Sequence, residues 1–172
     1  MQRLSGENQL NPPVDSREDT DLASVWELRK KGIPFSLFVH QEPIHSLEEA
    51  AKARSQLPNQ VIRSLLFRLA EGQFALVLVA GPQQIPWKNL RSFFQQRRLT
   101  QASTEEVLEI TGYRIGPVSP FGLANPVPVY IESGVLKEET LSMGSGRAGT
   151  AILIKMEDLQ RALPRAEIIS LF

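Results

Sequence analysis

His40, Glu42 and His45 fall within six residues of one another. Two imidazoles and a carboxylate are a zinc donor set in principle. Pro43 holds the intervening chain extended, and this loop spacing is no ligand signature, so no metal is expected. Ser119 sits in Gly116-Pro-Val-Ser-Pro-Phe-Gly122. Pro120 forbids the strand-turn-helix elbow that exposes a nucleophilic serine, so Ser119 reads as a hydrogen-bonding loop residue. Gly144-x-Gly146-x-x-Gly149 matches the dinucleotide fingerprint letter for letter. That motif must open a helix, whereas Thr150–Ile154 reads as a strand. The glycines then make a hairpin turn or pocket wall, and no nucleotide cofactor is expected. Lys88, Arg91, Gln95 and Arg98 recur at helical spacing, either as a phosphate-tracking face for nucleic acid or as a solvated outer face. Arg63 shares a strand face with Leu65 and Phe67 by alternation. A cation on an apolar face is costly without a partner, although a sheet edge would let it reach water.

The elements that must hold these residues follow from periodicity and punctuation. A helix is expected from about Thr20 to the stop at Gly32, then a strand over Phe35–Val39. Ser46 and Glu49 have capping-box spacing for an Ala-rich helix to Arg54. Strands over Val61–Leu69 and Phe74–Ala80 should pair through a turn at Glu71-Gly72. Trp87, Leu90, Phe93 and Phe94 mark an amphipathic helix after Pro86, and a short helix should run from Thr104 to Gly112. Gly116–Pro128, rich in proline and glycine, reads as an ordered loop. Short strands at Val129–Ile131, Leu141–Met143, Ala151–Ile154 and Ala166–Leu171 and a helix over Met156–Leu163 complete the chain. Strands outnumber helices and most connections are too short for crossovers. The expected fold is α+β: a mixed, largely antiparallel curved sheet with surrounding helices.

Composition narrows the classes. At 172 residues the chain fits one domain, expected over 20–172 after a polar, mobile N-terminal tail over 1–19. Apolar residues are 42% and charged residues 22%, which argues against global disorder. Nineteen basic residues balance nineteen acidic ones, so attraction to nucleic acid or lipid must come from a local patch. The absence of cysteine excludes disulfides and thiolate chemistry. No apolar run is long enough to span a membrane, and the N-terminus lacks the apolar centre of a signal peptide. A cytoplasmic location is expected.

Three stretches together resemble a known family. They are Phe35–Pro43 with Ser46–Ala51, then Thr111-Gly-Tyr-Arg-Ile-Gly-Pro-Val-Ser-Pro-Phe-Gly-Leu123, then Val129–Glu132 with the Gly144–Gly149 turn and Ile152–Leu159. Over about residues 21–171 the chain resembles the YbaK family, which is similar to the editing domain of bacterial prolyl-tRNA synthetases. The resemblance implies that fold, and trans-editing: hydrolysis of the ester joining a wrong amino acid to tRNA, without metal, cofactor or covalent intermediate. It implies mischarged tRNA, with alanine or cysteine on proline tRNA as the usual substrates, and an aminoacyl-tRNA synthetase as partners. It places Arg63, Gly116 and Ser119 at the catalytic centre, and His40, Pro117, Pro120, Phe121, Gly144 and Gly146 around the substrate. Lys88, Arg91 and Arg98 would contact RNA. Two departures stand out. The family lysine in V-x-K-S-L-L-F is Arg63 here, and a histidine that some members carry in the glycine-rich segment is absent. The alternative reading is therefore a non-catalytic homologue that binds tRNA or an aminoacyl ligand.

Overall fold

The computed structural model describes residues 21–172 except Glu71. The expected tail lies outside the described residues, as does Glu71 of the expected hairpin turn.

Eight strands and five α-helices alternate irregularly among the described residues. Helix α1 (Ala23–Lys30) buries Val25 and Leu28. Strand β1 (Ser36–Val39) follows, then α2 (Leu47–Ala53). The Ser46 side chain accepts from the Glu49 amide at 3.1 Å, satisfying one orphan donor of α2. Glu49 reaches back one residue further than the expected capping box, accepting from the His45 amide at 2.8 Å. A 3-10 turn over Pro58–Gln60 leads into β2 (Ile62–Arg68), which pairs antiparallel with β3 (Phe74–Ala80). Helix α3 (Trp87–Phe94) is followed by a two-residue strand, β4 (Thr100–Gln101), that sequence periodicity does not reveal. Helix α4 (Thr104–Thr111) is capped by Ser103 through a full box with Glu106. Strands β5 (Val129–Glu132), β6 (Thr140–Gly144) and β7 (Thr150–Lys155), helix α5 (Met156–Ala162) and strand β8 (Glu167–Ile169) end the chain.

The strands form two sheets, ordered β1-β7-β6 and β4-β2-β3-β5-β8. Pairings along β1-β7-β6 and β4-β2-β3 are antiparallel, while β3-β5 and β5-β8 are parallel. The sheets meet at a single parallel bridge, Val61 to Ser142. The mixed α+β architecture expected from sequence is present, with the curved sheet split at that bridge.

Alternation along β2 and β3 sends side chains into different cores. Phe67, Val77 and Val79 pack with Leu90 of α3 and with Leu171. Leu66 and Leu76 pack with Val107, Tyr113 and Val118. Phe121, Leu28, Leu141, Ile152 and Leu159 fill the core around the smaller sheet. Each such side chain contributes about 1.5–3 kcal/mol by leaving water. The Gly112–Leu123 segment is thereby fixed from below by Val118 and Phe121.

Candidate active site

The outer edge of β2 defines the site. Residues two apart in a strand present their amides to the same edge. Leu66 accepts there from the Ala102 amide at 2.9 Å, and Ile62 lies beside the bridge to β6. Between them the edge has no strand partner, because β4 pairs only with Phe67 and Arg68. The Ser64 N–H and C=O are left facing a gap between the two sheets. A cleft of about 930 Å³ occupies it. All of Val61 to Leu66 line this cleft. Successive strand side chains point to opposite faces, so such a run means the cleft meets β2 edge-on.

The opposite wall comes from two loops held together by backbone contact. The Gly146 amide donates to the Pro117 carbonyl at 2.8 Å. A Cβ on Gly144 would lie 2.3 Å from the Val118 carbonyl oxygen, so only glycine permits this approach. Gly116 has φ +110°, is exposed in the cleft, and has open space where a side chain would project. Among the described residues, the Gly116 and Val118 amides donate to no other group of the chain. Of the segment's Gly116, Pro117 and Val118, which line the cleft, Pro117 has no N–H, so these two amides are the donors available there.

Beneath the loop, Tyr113 donates to the Phe121 carbonyl, and its hydroxyl is pushed up to about 12, chiefly by burial. The Ser119 hydroxyl accepts from the Phe121 amide at 3.2 Å. Glu27 of α1 accepts from the Gly122 amide at 2.9 Å. The Thr111–Leu123 signature is thus largely a clamp that presents Gly116 and Pro117.

The cleft is also cationic. Arg63 donates through Nη2 to the Gln83 carbonyl, ahead of α3. Its Nε is buried with no partner, and burial pulls the guanidinium below the usual arginine value. Arg54 donates to His40 Nε2 from Nε at 3.2 Å and Nη2 at 3.0 Å, and from Nη1 to Ser142 Oγ at 2.9 Å. Burial pulls Arg54 down to about 10. An arginine cannot accept, so His40 Nε2 is the acceptor and the imidazole is neutral with its proton on Nδ1. Burial, with the Arg54 charge second, lowers the His40 pKa accordingly. Among the described residues, four buried side-chain polar atoms lack partners: His40 Nδ1, Gln56 Nε2, Arg63 Nε and Ser64 Oγ. Three belong to residues that line the cleft.

His40, Arg63, Gly116, Pro117 and Gly144 therefore share one cleft. Ser119, Pro120 and Phe121 do not line it; all three are buried beneath the loop. Gly146 also lies off it, against the Tyr113 ring. Lys88, Arg91 and Arg98 are exposed and outside the cleft. The expected continuous basic face is interrupted. Gln95 adopts φ +53° and Gln96 bonds back to the Arg91 carbonyl, a left-handed cap that ends α3 before Arg98. The His45 amide donates to Glu49 at the start of α2, and among the described residues no three His, Asp or Glu side chains are grouped to hold a metal. No described helix is long and apolar enough to cross a membrane.

Sequence reasoning missed Arg54 and Ser64. Arg54 looks like an ordinary basic residue at a helix end; its partners lie 14 and 88 residues away. Ser64 carried a signal, since alternation sets its hydroxyl between Ile62 and Leu66 on an apolar face.

Residues 41–162 match the family described as the aminoacyl-tRNA editing domain. The chain is 32% identical to the uncharacterized protein YwhH of Bacillus subtilis, across 66% of this chain and 72% of that one. It is 24% identical to the prolyl-tRNA editing protein ProX of Acetoanaerobium sticklandii, across 83% and 90%. The proline–tRNA ligase of Kosmotoga olearia matches at 30% identity across 62% of this chain, which corresponds to 18% of the ligase. This chain thus spans under a fifth of that ligase. A solved structure described as a candidate trans-editing enzyme for prolyl tRNA synthetase superposes with a TM-score of 0.80 at 24% identity, covering 91% and 97%. With the fold shared and most of its length inside the family match, the chain belongs to the aminoacyl-tRNA editing domain family.

Proposed function

We propose that the protein hydrolyses, in trans, the ester of a mischarged tRNA, with a small amino acid on proline tRNA as the substrate. The observation that carries this reading is the cleft itself: two cations, the free Gly116 amide and the Ser64 edge converge on one space. At about 930 Å³ it has room for a terminal nucleoside with its amino acid.

An ester carbonyl attacked by water or a ribose hydroxyl develops negative charge on oxygen. Preorganised amides aimed at that oxygen stabilise it, and losing one donor commonly costs about 3–4 kcal/mol. The Gly116 N–H supplies such a donor, and the Ser64 N–H a second. Arg63 adds a positive charge that stays put at neutral pH. Glu42, the cleft's carboxylate, offers an anion to the substrate's ammonium. Ser119 acts by holding the loop through the Phe121 amide.

A second reading, a binding homologue without catalysis, is favoured by one observation: Arg63 is tied to the Gln83 carbonyl. The test is deacylation of Ala- and Cys-charged proline tRNA by wild type, Arg63→Ala and Arg63→Lys. The hydrolase reading expects Arg63→Ala to lose at least tenfold, the scale of a charge-assisted hydrogen bond of about 1.5–3 kcal/mol, and Arg63→Lys to keep or raise activity. Equal rates for wild type and Arg63→Ala remove Arg63 from the mechanism. Activity confined to Arg63→Lys establishes the second reading.

A further inference from the structure

Arg54 is held in the cleft entirely by neutral partners. Its Nε and Nη2 meet His40 Nε2, and its Nη1 meets Ser142 Oγ. The Ser142 hydroxyl spends its own proton on Gln56 Oε1 at 2.6 Å, which turns a lone pair toward Arg54. Among the described residues no carboxylate lies within ion-pair distance of Arg54. One N–H on each terminal nitrogen is left over. A half-buried guanidinium without an anion is costly, and a preset fork matches two oxygens.

We propose that Arg54, oriented by His40 and Ser142, binds an oxyanion of the ligand. Two parts of an aminoacyl-tRNA end carry one: the phosphodiester beside the terminal nucleoside, or the side-chain carboxylate of an acidic amino acid. The proposal rests on reading the cleft as an aminoacyl-tRNA site only for naming these sources.

The test is binding, which involves no ester cleavage. Adenosine 5′-monophosphate is compared with adenosine, and aspartate α-methyl ester with alanine methyl ester, by calorimetry on wild type, Arg54→Gln and Arg54→Lys. Wild type should bind the anionic member of one pair at least tenfold tighter. Arg54→Gln should bring that pair within twofold, and Arg54→Lys should keep part of the preference. The pair that responds identifies the oxyanion. If Arg54→Gln does not fold by circular dichroism, Arg54→Leu replaces it with the same expectation. Overturning results are a wild type with no preference in either pair, or a preference that survives loss of the guanidinium. A protein with the Arg54-dependent preference but no deacylation sinks the hydrolase reading alone; deacylation without that preference sinks this proposal alone.

Discussion

Single residues in the cleft carry charge whose state depends on their neighbours. His40 accepts from Arg54 and must be neutral to do so. Its folded pKa lies below the ordinary value, so the unfolded chain takes up a proton first as pH falls. The stability that neutral His40 contributes is complete above about 6.5 and is lost as pH drops through the folded value. Protonation also sets two cations side by side. Urea midpoints at pH 7.5 and 5.5 should fall in wild type, and by less in His40→Gln, which keeps an acceptor and does not titrate. An identical fall in both proteins would assign the pH dependence elsewhere. Gly116 makes a sharper residue-level test. At φ +110° any side chain is strained by about 1–3 kcal/mol, and it would project into the cleft. Gly116→Ala should therefore stay folded in circular dichroism yet lose most deacylation, since the new methyl crowds the donor surface.

Among the elements, the Gly112–Leu123 segment shows what the sequence made legible. Its glycines and prolines mark a rigid loop, and Gly116 and Pro117 do line the cleft. Ser119 and Phe121 look equally exposed in the sequence but are buried, because the Tyr113 hydroxyl and the core beneath draw them in. That pull comes from packing across the chain, which local spacing does not encode. Strand β4 was invisible for a related reason: two residues show no period, and only the pairing with Phe67 and Arg68 creates it. The Arg54 network was hidden because it joins α2, β1 and β6, distant in sequence. Tyr113→Phe tests the clamp. Removing the hydroxyl leaves the buried Phe121 carbonyl short of a donor, which costs about 1–3 kcal/mol, read as a lower urea midpoint with unchanged m. A midpoint equal to wild type would mean that the hydroxyl does not brace the loop.

As a whole molecule the chain carries no net charge, so RNA is drawn by local cations only. Each phosphate contact to a single strand adds a slope of roughly −0.7 to log K against log salt. Arg54 and Arg63 together predict about −1.4 by that rule. A slope of about −3.5 by the same rule would bring Lys88, Arg91 and Arg98 into contact with RNA, and a flat response would exclude RNA as the ligand. The measurement that tests the account most directly is release of alanine from alanyl-charged proline tRNA by the pure protein. Prolyl-charged tRNA serves as the control. Release that rises in proportion to protein concentration, and is slower from the prolyl ester, is the predicted result. Release no faster than in buffer alone would contradict the account and leave a binding domain in its place.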